Sequence, residues 1–248
     1  MLESLQSVLL RGTPSDGPQV GSVRTTQVFI GVGNRNVSSA RFVPPPADHR
    51  LLDGLRQWQE WIREPSPVPT IVRVALAHYQ FEALHPFHDG NGRLGRLVMV
   101  LQLMAAGDLR YPVLNIAPWL EQRRTEYQDG LLRVSQTGRC DDWVSFIAAA
   151  IHAEALEVID RVEKLRAVRE SFRETLRGAK GVSRRIADDL IGYPMITVSL
   201  AASMYGVSYQ AANTAIAKLV EKGILRQRTV GRYDRIFQCD SVLAVLEQ

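Results

Sequence analysis

The chain has 248 residues, 46% of them hydrophobic, with 30 Lys or Arg against 26 Asp or Glu and a formal charge of +4. That content supports one large folded domain or two and excludes a disordered chain. The longest apolar run, LVMVLQLMAA at 97–106, is about half of what a bilayer-spanning helix needs, and Met1 opens no signal-peptide pattern, so a cytoplasmic protein is expected.

Leucines at helical spacing in LESLQSVLLR (2–11) predict a short helix that stops at Gly12 and gives way to a turn-rich loop. Two β-prone runs follow, Thr26 to Ile30 and Ala40 to Val43, separated by Gly and Asn and closed by three prolines, which predicts a surface hairpin. Leu51, Leu52, Leu55, Trp58 and Ile62 recur every three or four positions, so 48–62 is an amphipathic helix. TIVRVALAHYQFEAL (70–84) is a largely buried helix ended by Pro86, since the residue before a proline avoids the α region. Helices are expected over 93–106, once or twice within 115–135, and from Trp143 to about Arg177. Near Gly178 the pattern loosens. Beyond it, a helix from Ser199 to Met204, a turn at Gly206, a helix from Tyr209 to Lys222 and two basic strands around Gly231 follow the plan of a winged helix-turn-helix. The fold class is therefore mainly α, with a small hairpin and a C-terminal winged helix. Cys140 and Cys239 stand in neither a CxxC nor a metal spacing and read as ordinary thiols. The positive charge is concentrated late in the chain, with nine Lys or Arg against three Glu between Arg161 and Arg185.

Between the helices 70–84 and 93–106 lies HPFHDGNGRLGR (85–96). GNGRLG satisfies a dinucleotide-binding pattern, but that reading needs a strand before it and an acidic residue at a second strand end, and neither is present. A P-loop is excluded because no GxxxxGK[ST] occurs. The stretch still describes a phosphate site. Gly90 and Gly92 let several backbone N–H groups aim into one concavity at the start of a helix, where the dipole favours an anion. Arg93 and Arg96 lie three apart and can grip successive phosphates. Asp89 beside such an anion calls for a divalent cation such as Mg²⁺, and His85 supplies a group that can take a proton near neutral pH.

HPFHDGNGRLGR resembles the signature of the Fic family, His-Pro-Phe-x-Asp/Glu-Gly-Asn-Gly-Arg-x-x-Arg, at every defined position. QVFIGVGNRNVSSARFVPPP is similar to the family's flap hairpin, HYQFEALHPF to its pre-motif helix, and WLEQRRTEYQDGLLRV to the segment near the adenine. The resemblance implies a catalytic core over 1–150 with its flap at about 26–46, a helical linker over 151–190 and the winged helix over 191–248. It implies transfer of AMP from Mg²⁺-ATP to a Ser, Thr or Tyr hydroxyl of a target protein or of the chain itself, with pyrophosphate leaving. His85 would be the general base, and Asp89 would hold the Mg²⁺. Gly90, Asn91 and Gly92 would surround the α and β phosphates, Arg93 and Arg96 would contact the β and γ phosphates, and Tyr127 would lie near the base. Phe87 would anchor the loop, and His88, at the variable position, is expected to face solvent. In the related Doc toxins, which phosphorylate, lysine stands at the place of Gly92, so the glycine favours nucleotidyl transfer.

The chain departs from the family at two points. Arg123 stands where an asparagine is usual, and Gln128 where a second aromatic often follows Tyr127. No Glu is followed by Gly or Asn, so the Ser/Thr-x-x-x-Glu-Gly/Asn inhibitory motif is absent from this sequence. LESLQSVLL resembles the helix that follows that motif, which leaves a fragment, a mis-started frame or a separate inhibitory partner as alternatives. The competing function is a DNA-binding regulator or toxin–antitoxin component. It would use residues 208–235, with Ser208, Gln210, Asn213, Thr214 and Lys218 on the helix and Arg226, Arg228, Arg232 and Arg235 on the wing. A homodimer is compatible with either.

Overall fold

The computed structural model describes residues 1–31, 37–179, 181–229, 231 and 235–247. They form two compact units, Met1–Ala155 and Leu156–Gln248.

The first unit is built around a largely buried helix. This is α3 (Thr70–Leu84), preceded by α1 (Leu2–Leu10) and α2 (His49–Arg63), and followed by α4 (Asn91–Ala105), α5 (Ala117–Gln122), α6 (Arg124–Thr137) and the start of α7 (Asp141–Thr175). Asp48 caps α2 by accepting the Arg50 N–H at 2.9 Å. Two buried tryptophans clasp α3, Trp58 donating to the Ala77 carbonyl and Trp143 to the Ala75 carbonyl, both at 2.8 Å. The core has two lobes accordingly. Leu51, Leu55, Phe81, Phe87, Leu94 and Val98 gather around Trp58, while Met99, Leu103, Leu120, Ile147 and Ile151 gather around Trp143.

In place of the hairpin expected between Thr26 and Val43, the described residues hold a single antiparallel bridge, Ile30 to Phe42, and a 3-10 turn at Val37–Ser39. Pro44, Pro45 and Pro46 carry no N–H, so the ladder cannot run on past the bridge. Residues 32–36, which include the expected Gly and Asn turn, lie outside the described residues. Helix α4 starts at Asn91, two residues before the expected Arg93, because Gly90 takes the left-handed conformation (φ 83°) and turns the chain straight into the helix.

The second unit contains α8 (Val182–Asp189), β1 (Met195–Thr197), α9 (Val198–Tyr205), α10 (Tyr209–Glu221), β2 (Arg226–Gln227), β3 (Ile236–Gln238) and α11 (Asp240–Leu246). Its sheet is antiparallel in the order β1-β3-β2, with Ile196 and Gln227 flanking Phe237. Thr197 and Ser208 cap α9 and α10 by accepting the N–H groups of Leu200 and Ala211, and Gly206 (φ 63°) ends α9. Phe172, Leu176, Ile186 and Leu190, from the segment expected to be a linker, are part of this unit's core with Ile196, Ile216, Leu219 and Phe237. Helices α8 and α11 and strand β1 went unanticipated. Arg232, on the expected wing, is outside the described residues. No helix among the described residues is long and apolar enough to cross a membrane.

Candidate active site

Helix α3 delivers His85 at its end. The residue caps α3 in the left-handed region (φ 46°, ψ 60°), with its N–H on the Phe81 carbonyl at 3.0 Å, and is the one non-glycine with positive φ among the described residues. Such a conformation costs about 1–3 kcal/mol and persists only where its surroundings enforce it. Arg24 enforces it. Its buried guanidinium donates from Nε to the His85 carbonyl at 2.8 Å, from Nη2 to the carbonyls of Pro45 (2.6 Å) and Leu84 (3.3 Å), and from Nη1 to that of Thr26 (3.2 Å). The Arg24 backbone N–H adds a bond to the Pro86 carbonyl at 2.9 Å. Loss of solvent around the His85 ring, aided by the nearby Arg24 charge, outweighs the opposite pull of the Glu82 carbonyl and of Asp89 and holds its pKa down to about 4. The imidazole is therefore neutral at physiological pH and able to accept a proton.

The loop after His85 is braced from both ends. Phe87 is fully buried, and Asn91 holds its backbone by accepting the Phe87 N–H at 2.9 Å and donating to the Phe87 carbonyl at 2.7 Å. The Asn91 side chain is thus committed to the loop itself, leaving its backbone N–H as the group it can offer a ligand. Leu10 of α1 fits against Gly90, where an added Cβ would stand 3.1 Å from the leucine. Gln6, also on α1, donates to the Asp89 carbonyl at 3.1 Å. A hydrogen bond from Ser15 is the largest influence lowering the Asp89 pKa, with Gly90 N–H and Arg93 adding to it. The Asp89 carboxylate receives Gly90 N–H at 2.6 Å and Arg93 Nη2 at 3.2 Å. His88, expected to face solvent, is half-buried.

The first N–H groups of α4, on Asn91, Gly92 and Arg93, have no acceptor within the helix, and no side chain caps them. Together with Arg93 and Arg96 they make a cationic, donor-rich end suited to an anion. Beside it opens a mostly apolar cavity of about 270 Å³ walled by Ile30, Phe42, Tyr79, Glu82, His85, Tyr127 and Gln128. His85 and Tyr127 therefore share one cavity, whereas Asp89 to Arg96 stand on the loop and first turn next to it. Tyr127 lines the cavity, and its hydroxyl is bonded to His78 Nε2 at 2.9 Å. Arg123 lies away from the cavity wall, stacked 4.1 Å above Trp119.

Several site residues were not foreseen. Arg24 carried no local signal, being an isolated arginine before a β-prone run. Glu82 did carry one. It falls three residues before His85 and four after His78, so all three crowd one face of the helix. Glu82 is buried, and the absence of solvent pushes its carboxyl up to about 7 against the opposing influence of Arg96. His78 is driven down to about 3, first by burial and then by Arg96, and the Tyr127 hydroxyl is raised well above its usual range by burial and by Glu82.

Residues 1–103 match a family model described as the Fic/DOC family. Over 143 residues the chain is 33% identical to protein adenylyltransferase fic-1 of Caenorhabditis elegans, a match spanning 57% of this chain and 24% of that protein. It is 36% identical over 150 residues to protein adenylyltransferase Fic of Culex quinquefasciatus, spanning 60% and 26%, and 34% identical over 151 residues to that of Drosophila grimshawi, spanning 60% and 27%. The matched region is thus about a quarter of the length of these curated relatives. The crystal structure of a Fic family protein from Desulfovibrio desulfuricans G20 superposes with a TM-score of 0.54 at 20% identity, covering 96% of this chain and 67% of that one, which establishes likeness of fold. The unbroken motif on the α3–α4 turn lies within residues 1–103, the part of the chain that matches the Fic/DOC family.

Proposed function

We propose that the first unit transfers AMP from Mg²⁺-ATP to a Ser, Thr or Tyr hydroxyl of a protein, releasing pyrophosphate. The observation that carries this reading is the pairing of a neutral, clamped His85 with the uncapped N-terminus of α4 across one short loop. The relatives named protein adenylyltransferases support it. In this reading His85 accepts the proton of the target hydroxyl as its oxygen attacks the α phosphorus. The N–H groups of Asn91, Gly92 and Arg93 receive the phosphate oxygens, and Arg93 and Arg96 balance the charge that moves onto the leaving pyrophosphate. Gly92 keeps this end open, since a Cβ there would come within 3.1 Å of Arg96 Nη1. Tyr127 and Gln128 would flank the base.

Among the described residues no group of three or more His, Cys, Asp or Glu could hold a metal ion. The lone exposed carboxylate of Asp89, held in its charged form, fits a cation that takes its other ligands from phosphate oxygens and water. Mg²⁺ bound there would neutralise phosphate charge. We read the second unit as a winged helix, supported by the order of α9, the Gly206 turn, α10 and the β2–β3 pair, and its partner as either DNA or protein. A cytoplasmic setting belongs to the same proposal and rests on the free Cys140 and Cys239.

The test is incubation of the protein and a cell lysate with Mg²⁺ and ATP labelled at the α or γ phosphate. Label should reach protein from the α position and be lost when His85 is replaced. Label arriving only from the γ position would replace this reading with phosphorylation.

A further inference from the structure

We propose that Glu82 is a positioning residue for Arg96, a buried carboxyl in α3 that sets how much of the Arg96 charge is available to a phosphate. The inference rests on the reading of Arg96 as a phosphate contact. Glu82 Oε1 is buried and has no hydrogen-bond partner. A Cβ on Gly95 would stand 2.7 Å from this oxygen, so the glycine is what admits the carboxyl into the α3–α4 seam. A Cβ on Gly92 would stand 3.9 Å from the same oxygen and 3.1 Å from Arg96 Nη1, so carboxyl and guanidinium approach one point from two helices. No direct ion pair joins them, which leaves the guanidinium attracted and not locked.

An unpaired carboxylate in such a place is costly, and a nearby cation is what makes its charge tolerable. The groups facing Glu82 are few. From α3 come His78 and His85, both neutral near pH 7; from α4 comes Arg96; from α6 comes Tyr127, neutral and bonded to His78, while Arg124 of α6 and Arg41 line the same cavity. Arg96 is the cation acting on Glu82 directly. When Glu82 is ionised it competes with a bound phosphate for Arg96 and repels that phosphate. When it is protonated Arg96 is released to the ligand. Donor binding should therefore be accompanied by proton uptake at Glu82, and affinity should fall as pH rises through the range in which Glu82 loses its proton.

Two measurements on the full chain test this. The first needs no ligand: the titration of Glu82 is followed by NMR of ¹³C-labelled glutamate carboxyls, assigned with Glu82→Gln. Replacing Arg96 with Gln should raise the Glu82 midpoint by a pH unit or more, and Arg96→Lys should restore part of the shift. An unchanged midpoint in Arg96→Gln overturns the inference. The second is calorimetric binding of Mg²⁺-ATP at pH 6 and pH 8. Wild-type affinity should drop between the two by roughly three-fold or more, while Glu82→Gln should bind equally at both and more tightly than wild type at pH 8. Equal affinities of wild type and Glu82→Gln at pH 8 also overturn it. If no nucleotide binds to the wild type at either pH, the proposed nucleotide site fails, and the NMR titration alone decides for or against the Glu82–Arg96 coupling.

Discussion

Arg24 donates from Nε to the carbonyl oxygen of His85 at 2.8 Å, sixty-one residues along the chain, and in doing so fixes the left-handed turn that presents the histidine. Replacing Arg24 with Ala would leave the carbonyls of Thr26, Pro45, Leu84 and His85 without this donor. We expect a loss of roughly 2–4 kcal/mol in unfolding free energy, read by urea denaturation. Arg24→Lys should recover little of it, because an ammonium cannot reach divergent acceptors as a planar fork does.

His85→Ala should lower transfer by about 10² to 10⁴ while leaving nucleotide affinity near the wild-type value, because in the proposed reaction the ring acts on the attacking hydroxyl. Rates from α-labelled ATP and affinities from calorimetry separate the two effects. Transfer that survived the substitution would remove His85 from the proposed role.

Two glycines one turn apart on α4 should respond differently to alanine. At Gly95 a Cβ would meet Glu82 Oε1 at 2.7 Å and the His78 ring at 3.0 Å, both in the buried seam, so Gly95→Ala should destabilise the fold by about 1–3 kcal/mol. At Gly92 the nearest group is the far end of the Arg96 side chain, at 3.1 Å, which can move aside. Gly92→Ala should leave the melting temperature nearly unchanged and weaken Mg²⁺-ATP binding instead.

The buried titratable groups give stability opposing slopes with pH. Glu82 ionises near 4.5 when unfolded and near 7 when folded, so the stability its protonation confers is lost as pH rises from about 4.5 through 7. His78 and His85 titrate near 6.5 unfolded and near 3 and 4 folded, so the stability of their neutral forms is present above 6.5 and lost as pH falls below it. Two histidines outweigh one carboxyl over most of the shared range, so wild-type stability should rise with pH and level off near pH 7. Glu82→Gln should steepen the acid limb between pH 4.5 and 6.5, as seen in denaturation midpoints measured from pH 4 to 8.

The helices of the first unit were legible because their apolar spacing and their stops, Gly12, Pro86 and the proline-rich break before Thr70, act locally. The candidate site was legible for a related reason: His85 to Arg96 are consecutive, so one short stretch displays most of the chemistry. What sequence reading missed depends on contacts between distant segments. Arg24 reaches His85 across sixty-one positions, and Gln6 reaches Asp89 across eighty-three. The hairpin was overestimated because β propensity in QVFIGV and ARFV says nothing of how few N–H groups remain beside three prolines. Strand β1 and helix α11 were hidden because three and seven residues are too short to show a period.

Arg41, next to Phe42 on the cavity wall, is bonded to Asp129 and reaches the Gln128 side chain at 3.4 Å. Both residues are on α6, Gln128 lines the cavity together with Arg41, and both partners of the ion pair are substantially exposed. An exposed pair of this kind holds weakly and yields to added electrolyte. The hold of Arg41 on α6 beside the cavity is therefore set by the surrounding salt. At low sodium chloride, nucleotide entry measured by stopped-flow fluorescence should be faster in Asp129→Asn than in wild type, and the difference should shrink as salt is added.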